Sequence, residues 1–240
     1  IKGFSKLSKN QKIEWLVKSC FNNSDSAKKI LTQYWNVDSN LQKLHDEFSE
    51  NTISNYYLPF AIAPNFLINN KIYTVPMTIE ESSVVAAASK AAKFWMHHGG
   101  FKSEVIETEK IGQVHFIFNG EKKIIKEYFD FVKPYLFENT KEITKNMQSR
   151  GGGINEIQLI DKTTELDGYY QIFATFDTVD AMGANFINSC LEEFAQTFCN
   201  SITIFKNEKL NKKDINIIMS ILSNFVPNCI VKSSVSCRVS

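Results

Sequence analysis

Two stretches of this chain place acids, hydroxyls and glycines where a helix is about to begin. In the first, Pro76-Met77-Thr78-Ile79-Glu80-Glu81-Ser82-Ser83 runs into an alanine-rich segment. A helix start offers free N–H groups and a partial positive charge, so Glu80 and Glu81 read as first-turn acids, with Ser82 or Ser83 as cap. The same spacing admits a catalytic reading. A carboxyl buried beside an apolar helix titrates higher than one in water, and a Glu so placed can give or take a proton near neutral pH. In the second stretch, Asp177-Thr178-Val179-Asp180-Ala181-Met182-Gly183-Ala184-Asn185 joins a strand pattern to a long amphipathic helix pattern. Helix N–H groups converge at such a junction, and dinucleotide phosphates are commonly held there. The competing reading makes Asp180 an N-cap and Gly183 a close-packing residue. No G-x-G-x-x-G accompanies the stretch.

Other candidates carry less. Arg150-Gly151-Gly152-Gly153 either cradles a phosphate with backbone N–H groups and a guanidinium or is a flexible turn. His97 and His98 sit where a helix end favours cations, His45 and His115 are isolated, and none has metal-ligand spacing with a cysteine. The five cysteines include no C-x-x-C pair. They fall on apolar stripes or strands, which predicts reduced core thiols and a cytoplasmic location. Nucleophile elbow, Walker loop and zinc motif are all missing.

The elements that position these groups follow from periodicity. Ser8 or Asn10 can cap a helix over Gln11 to Cys20, with Ile13, Trp15, Leu16 and Cys20 on its apolar face. A second helix is expected from roughly Ser26 to Trp35. From Ile53 to Val75 aromatics and β-formers dominate, Pro59 and Pro64 break any helix, and Asn69-Asn70 reads as a tight turn. Ser83 to His97 carries Ala86, Ala87, Ala88, Ala91 and Ala92 and stops at Gly99-Gly100, which predicts a buried helix. Strands are expected over Val105 to Phe118, Ile154 to Ile160 and Tyr169 to Asp177. Helices are expected over Glu121 to Met147, interrupted near Pro134, and over Ala181 to Phe198. The latter carries Ile187, Cys190, Leu191, Phe194, Ala195 and Phe198 on one stripe. Ile202 to Phe205 reads as a strand, Lys213 to Leu222 as a helix and Ile230 to Val239 as a strand. The middle therefore predicts β-α-β-β-α-β, the split βαβ order of a ferredoxin-like sandwich. The fold class expected is α+β: a large mixed domain over 1–103 and 220–240 around the buried helix, with a smaller inserted domain over 104–219.

Composition sets outer bounds. The chain has 240 residues, 43% hydrophobic and 22% charged, which excludes wholesale disorder. With 27 basic and 26 acidic residues the net charge is +1, no footprint for nucleic acid or an anionic membrane. The longest apolar run, Val84 to Ala88, falls far short of the roughly 18 residues of a membrane span. The chain opens on Ile1 and stops at Ser240 inside a strand pattern, so a longer protein is expected.

Taken in order, the segments resemble class II 3-hydroxy-3-methylglutaryl-coenzyme A (HMG-CoA) reductase, in its N-terminal portion. Gly3-Phe4-Ser5-Lys6-Leu7-Ser8 is similar to the family's opening, and Glu50-Asn51-Thr52-Ile53-Ser54 to its Glu-Asn-Val-Ile-Gly dimerisation motif. Leu58 through Phe66, Val75 through Ser89, and Asp180-Ala181-Met182-Gly183-Ala184-Asn185 match closely. The resemblance implies that Glu81 is the catalytic proton donor and Asn224 an active-site asparagine. It puts Ser83 against the hydroxymethylglutaryl group and Lys6 against a coenzyme A phosphate. Asp180, Met182, Gly183 and Asn185 then belong to the nicotinamide-cofactor motif. Ahead of Gly151, where some NADH-using members carry an acid, this chain has Thr144, Lys145 and Asn146, with Arg150 beyond. That implies a lean to NADPH over NADH, and no metal. The implied reaction is two hydride transfers, from HMG-CoA to mevalonate and free coenzyme A, at an active site shared across a homodimer or a higher oligomer. Ser54 departs from the motif's glycine and Ser82 from a common proline. The family's catalytic Lys, Asp partner and His would lie beyond residue 240, leaving this fragment inactive alone. A natural stop at Ser240 would instead read as a non-catalytic acyl-CoA or nucleotide-binding module.

Overall fold

The computed structural model describes residues 2–238. The chain is mixed α/β with antiparallel sheets, in two compact units: one holds the chain up to Phe101 and from Val235 on, the other Lys102–Ser234.

The first unit begins with three helices, α1 (Lys9–Cys20), α2 (Asp25–Gln33) and α3 (Ser39–Asp46). Ser8, not Asn10, starts α1. Its Oγ accepts the Gln11 N–H while Gln11 Oε1 accepts the Ser8 N–H, so two otherwise unpaired donors are satisfied reciprocally. The buried face of α1 is Ile13 and Val17, one turn apart; Trp15 lies outside it, edge-on to Phe4. A hairpin follows, β1 (Phe60–Ile68) antiparallel to β2 (Lys71–Thr78). Asn69 and Asn70 both take positive φ, 48° and 66°, matching the tight turn expected there.

Helix α4 (Val84–Met96) packs on β1 and ends at Gly99-Gly100, both at positive φ. A side chain on Gly100 would meet the Leu67 carbonyl and side chain, so chain and hairpin approach closely there. The expectation of a buried helix does not hold within the chain. Only Ala92 is buried; Ala86, Ala87 and Ala91 are exposed, and Phe94 is 48% exposed. The hairpin covers one side of α4, and small side chains on the other side meet no second layer in this unit.

The second unit is built on β3 (Lys102–Phe118), long enough to serve two partnerships. After it come α5 (Lys122–Asn139), α6 (Lys141–Gln148), β4 (Gly153–Asp161), β5 (Tyr169–Asp177), α7 (Ala184–Asn200), β6 (Ile215–Leu222) and β7 (Cys229–Ser234). The strands lie in the order β4-β5-β3-β6, every pair antiparallel, while β7 pairs with the first half of β3. Alternate residues Val114, Phe116 and Phe118 of β3 and Tyr170, Ile172, Ala174 and Phe176 of β5 face Tyr128, Val132 and Leu136 of α5. The expected stripe of α7 packs there too, all buried but Ala195, which is partly so. Each fully buried aromatic contributes on the order of 2 kcal/mol.

Five expectations need correction. Helix α5 runs straight through Pro134 and breaks instead at Thr140. Pro134 is exposed, so the carbonyl it leaves unpaired faces water, while buried Val132 and Leu136 hold the helix to the sheet. Thr140, fully buried, bends its hydroxyl back to the Leu136 carbonyl at 2.8 Å and ends α5. Residues 202–205 form no strand: Ser201–Ile204 is a 3₁₀ turn continuing α7, with Ile202 in the core. The helix expected over 213–222 is a 3₁₀ turn, Lys212–Asp214, followed by strand β6, because four β-branched isoleucines lie along the open flank of β3. The last strand stops at Ser234, and Val239 lies outside the described residues. Because β6 and β7 both pair with β3, the chain leaves the second unit after Ser234 rather than near residue 220.

Candidate functional site

In the first unit, β2 ends at Thr78 and five residues lead into α4. Ser83 is the N-cap, at φ 72°, a left-handed conformation that is strained for a side chain. Ser83 thus takes one of the two cap positions expected: its carbonyl accepts the Ala87 N–H at 2.8 Å, but its hydroxyl makes no capping hydrogen bond. Glu80 and Glu81 lie ahead of the N-cap and not in the first turn, and both are exposed. Within this unit no element covers either carboxylate. Lys6, also exposed, closes a single 3₁₀ turn, Phe4–Lys6.

The second unit brings two candidate turns together. Gly152 packs so tightly on the turn after β5 that an added Cβ would sit 2.5 Å from the Asp177 carbonyl and 3.1 Å from Val179 Cγ2. The Arg150–Gly153 turn is therefore wedged against the Asp177–Gly183 turn and is not a free flexible loop. Gly151 has φ 93°, which a side chain would resist.

The Asp177–Gly183 turn is itself tightly held. Val179, β-branched, takes φ 56°. Its N–H donates to the Asp177 carboxylate at 2.7 Å, and the Thr108 hydroxyl donates to the same carboxylate at 3.2 Å. Thr178 is fully buried. Its hydroxyl donates to the Ala181 carbonyl at 2.7 Å, and its methyl fills the space a Gly183 side chain would need. Gly183, at φ 84°, caps α7 without a side chain, so the first-turn N–H groups of this 17-residue helix face outward uncapped. Such a start receives an anion. Asp180, Met182 and Asn185 are exposed around it, Met182 at 73%. The Asp180 side chain does not cap α7.

Arg150 folds back toward α6, its guanidinium donating to the Asn146 carbonyl at 3.4 Å and approaching Met147 Sδ at 3.5 Å. Lys145 and Asn146 are exposed on α6, Lys145 in a loose 3.9 Å pair with Glu142, whereas Thr144 points into the core. Asn224 is exposed in the β6–β7 loop. That loop runs along the same stretch of β3 as the Asp177 turn: Ser223 donates to the Ile111 carbonyl at 2.8 Å, Asn228 to Glu109 at 3.0 Å, and Glu109 stands opposite Asp177. Asp180, Met182, Gly183, Asn185, Lys145, Asn146, Arg150 and Asn224 thus share one unit, while Glu81, Ser83 and Lys6 belong to the other. Thr108 and Thr178, which set the turn, were not singled out from sequence. Thr178 lies in a recognisable motif, but only its burial reveals its task.

Among the described residues no group of three His, Cys, Asp or Glu side chains could hold a metal, and no helix is long and apolar enough to cross a membrane.

These features define a two-unit α/β protein with antiparallel sheets and an anion-receptive helix start. A family model described as hydroxymethylglutaryl-coenzyme A reductase matches residues 9–240, and the chain belongs to that family. It is 32% identical over 195 residues to a 3-hydroxy-3-methylglutaryl-coenzyme A reductase of Archaeoglobus fulgidus, covering 81% of this chain and 44% of that protein. It is 34% identical over 159 residues to a probable reductase of the same name from Borreliella burgdorferi, covering 63% of this chain and 35% of that one. Its fold matches the class II reductase of Streptococcus pneumoniae, solved bound to NADPH in open conformations, with a TM-score of 0.66 and 28% identity, over 98% of this chain and 59% of that one. The chain spans less than half the length of the curated relatives it matches.

Proposed function

We propose that this chain carries the substrate- and NADPH-binding parts of an HMG-CoA reductase, which reduces HMG-CoA to mevalonate and free coenzyme A in two hydride transfers. The observation that carries the reading is the paired turn at the start of α7, where Gly152, Gly183 and buried Thr178 hold uncapped N–H groups outward. NADPH, when bound there, supplies the hydride for both reductions. The first-turn amides of α7 hold its phosphates, and Asp180, Met182 and Asn185 line the approach. Lys145 and Arg150 meet the 2′-phosphate, and the side chains in that stretch that reach solvent include no acid after Glu142, which favours NADPH over NADH.

Each reduction puts negative charge on the substrate's reacting oxygen, so a proton must be ready beside it. Glu81 gives a proton to the thioester or hemithioacetal oxygen; the hemithioacetal C–S bond then breaks, its hydroxyl proton passing to the coenzyme A sulfur, and the aldehyde left behind is reduced in the second step. Ser83 touches the hydroxymethylglutaryl group, Lys6 neutralises a coenzyme A phosphate, and Asn224 binds at the reacting centre. Exposed Glu81 then needs a cover from outside its own unit, which a second copy of the protein would supply as a homodimer through the segment around Glu50–Asn55. The second unit is ferredoxin-like on this reading. Its β-α-β-β-α-β succession and β4-β5-β3-β6 sheet order support that description.

The test is an assay of the protein that carries this segment, whole, with HMG-CoA and each nicotinamide cofactor in turn. Mevalonate and coenzyme A should form with a lower KM for NADPH than for NADH. A protein that binds HMG-CoA and NADPH without turnover would instead be a binding module. A lower KM for NADH would overturn the cofactor assignment.

A further inference from the structure

The five cysteines are all free thiols, in different surroundings. Cys190 is buried, which pushes its thiol up to about 12, and burial raises Cys199 as well. Cys20 and Cys237 are exposed. Cys229 differs from all four. It is half-buried at the start of β7, and the Lys110 amine lies 2.7 Å from its sulfur. N–H···O bonds run about 2.9–3.0 Å, and sulfur is larger than oxygen, so this approach is closer than an ordinary hydrogen bond to a thiol requires. It is a separation that one bridging oxygen atom can span.

The backbone makes this approach repeatable. Cys229 stands opposite Thr108 in the β3–β7 ladder, and Lys110 lies two residues further along β3, on the same face. The Cys229 N–H closes a turn onto the Val226 carbonyl at 3.0 Å, and Asn228 is tied to Glu109 at 3.0 Å. Amine and thiol are thus held on two paired strands, with the chain on either side of Cys229 fixed.

We propose that Lys110 and Cys229 are an oxidative modification site at which peroxide joins them through a covalent nitrogen–oxygen–sulfur bridge. The oxidant is hydrogen peroxide, two molecules per bridge. The S–H bond, one N–H bond of the neutral amine and both peroxide O–O bonds break. One S–O and one O–N bond form, and three waters leave. Sulfur and nitrogen each give up two electrons, four in all, which the two peroxides accept. A thiol reductant reverses the change: four thiols return the free cysteine, the free amine and one water, and leave as two disulfides. The bridge would fasten the β6–β7 loop, which carries Asn224, to β3.

The experiment treats the whole protein with hydrogen peroxide, blocks residual thiols, digests it and measures peptide masses. A linked Lys110–Cys229 peptide should appear, with one oxygen gained and two hydrogens lost, and should vanish after dithiothreitol. It should be missing from Lys110→Arg, which keeps the charge and the fold but has no primary amine, and from Cys229→Ser. Oxidation of Cys229 only to sulfinic or sulfonic acid or to a disulfide would overturn the proposal, as would a linked peptide that persists in Lys110→Arg. The readout is a covalent mass, so it is independent of whether the protein reduces HMG-CoA.

Discussion

Gly152 shows how one missing side chain can join two motifs. The nearest obstacle to a Cβ there is the Asp177 carbonyl, a backbone atom that cannot rotate away. Gly152→Ala should therefore cost about 1–3 kcal/mol, the usual range for overpacking, and weaken NADPH binding by moving the turn. Urea unfolding and a cofactor titration on the whole protein would check both effects; unchanged values in each would show that the contact relaxes freely. A different residue-scale effect is set by Asp161. Hydrogen bonding from Lys122, then from Thr163, lowers its carboxyl from an ordinary 3.8 to about 2. A carboxyl held low in the folded state contributes stability that is complete above 3.8 and is lost as the pH falls through about 2. Lys122 is largely exposed and Asp161 partly so, and solvent screening keeps the effect small. Asp161→Asn should be less stable than the parent near neutral pH, and the gap should narrow between about pH 4 and pH 2 in urea midpoints.

At the scale of elements, Thr178 holds the β5–α7 connection in shape. Replacing it with Val keeps the shape and removes the donor to the Ala181 carbonyl, a loss of about 1 kcal/mol. That corresponds to NADPH binding roughly five-fold weaker, with kcat less affected, and Thr178→Ser should restore most of it. Equal KM values for parent and Thr178→Val would remove Thr178 from that role. Much of the element structure was legible in advance: the α7 stripe, the Asn69-Asn70 turn and β5 follow from periodicity and turn chemistry alone. The failures have tertiary causes. Residues 215–222 contain isoleucines that suit helix or strand until β3 supplies an edge to pair with. Pro134 is tolerated because it faces water, which spacing does not disclose. The alanines of α4 suggest close packing, but within their own unit only Ala92 is buried. At the candidate sites the motif residues stand out in the sequence, whereas Thr178 is disclosed by its burial, and Thr108 and the Lys110–Cys229 approach depend on strand register.

For the whole molecule, the proposed chemistry requires groups from both units and a cover for Glu81 that its own unit lacks. Sedimentation of the complete protein should accordingly show a dimer or a larger even assembly; a monodisperse monomer with full activity would contradict a shared site. The central claim is that Glu81 supplies the proton when HMG-CoA is reduced. It is tested most directly by mevalonate formation from HMG-CoA and NADPH in the complete Glu81→Gln protein. A positioned proton donor contributes on the order of 10²–10⁴-fold, so kcat should fall by at least about a hundredfold, with cofactor binding and assembly unchanged. Mevalonate formation at the parental rate would contradict the account.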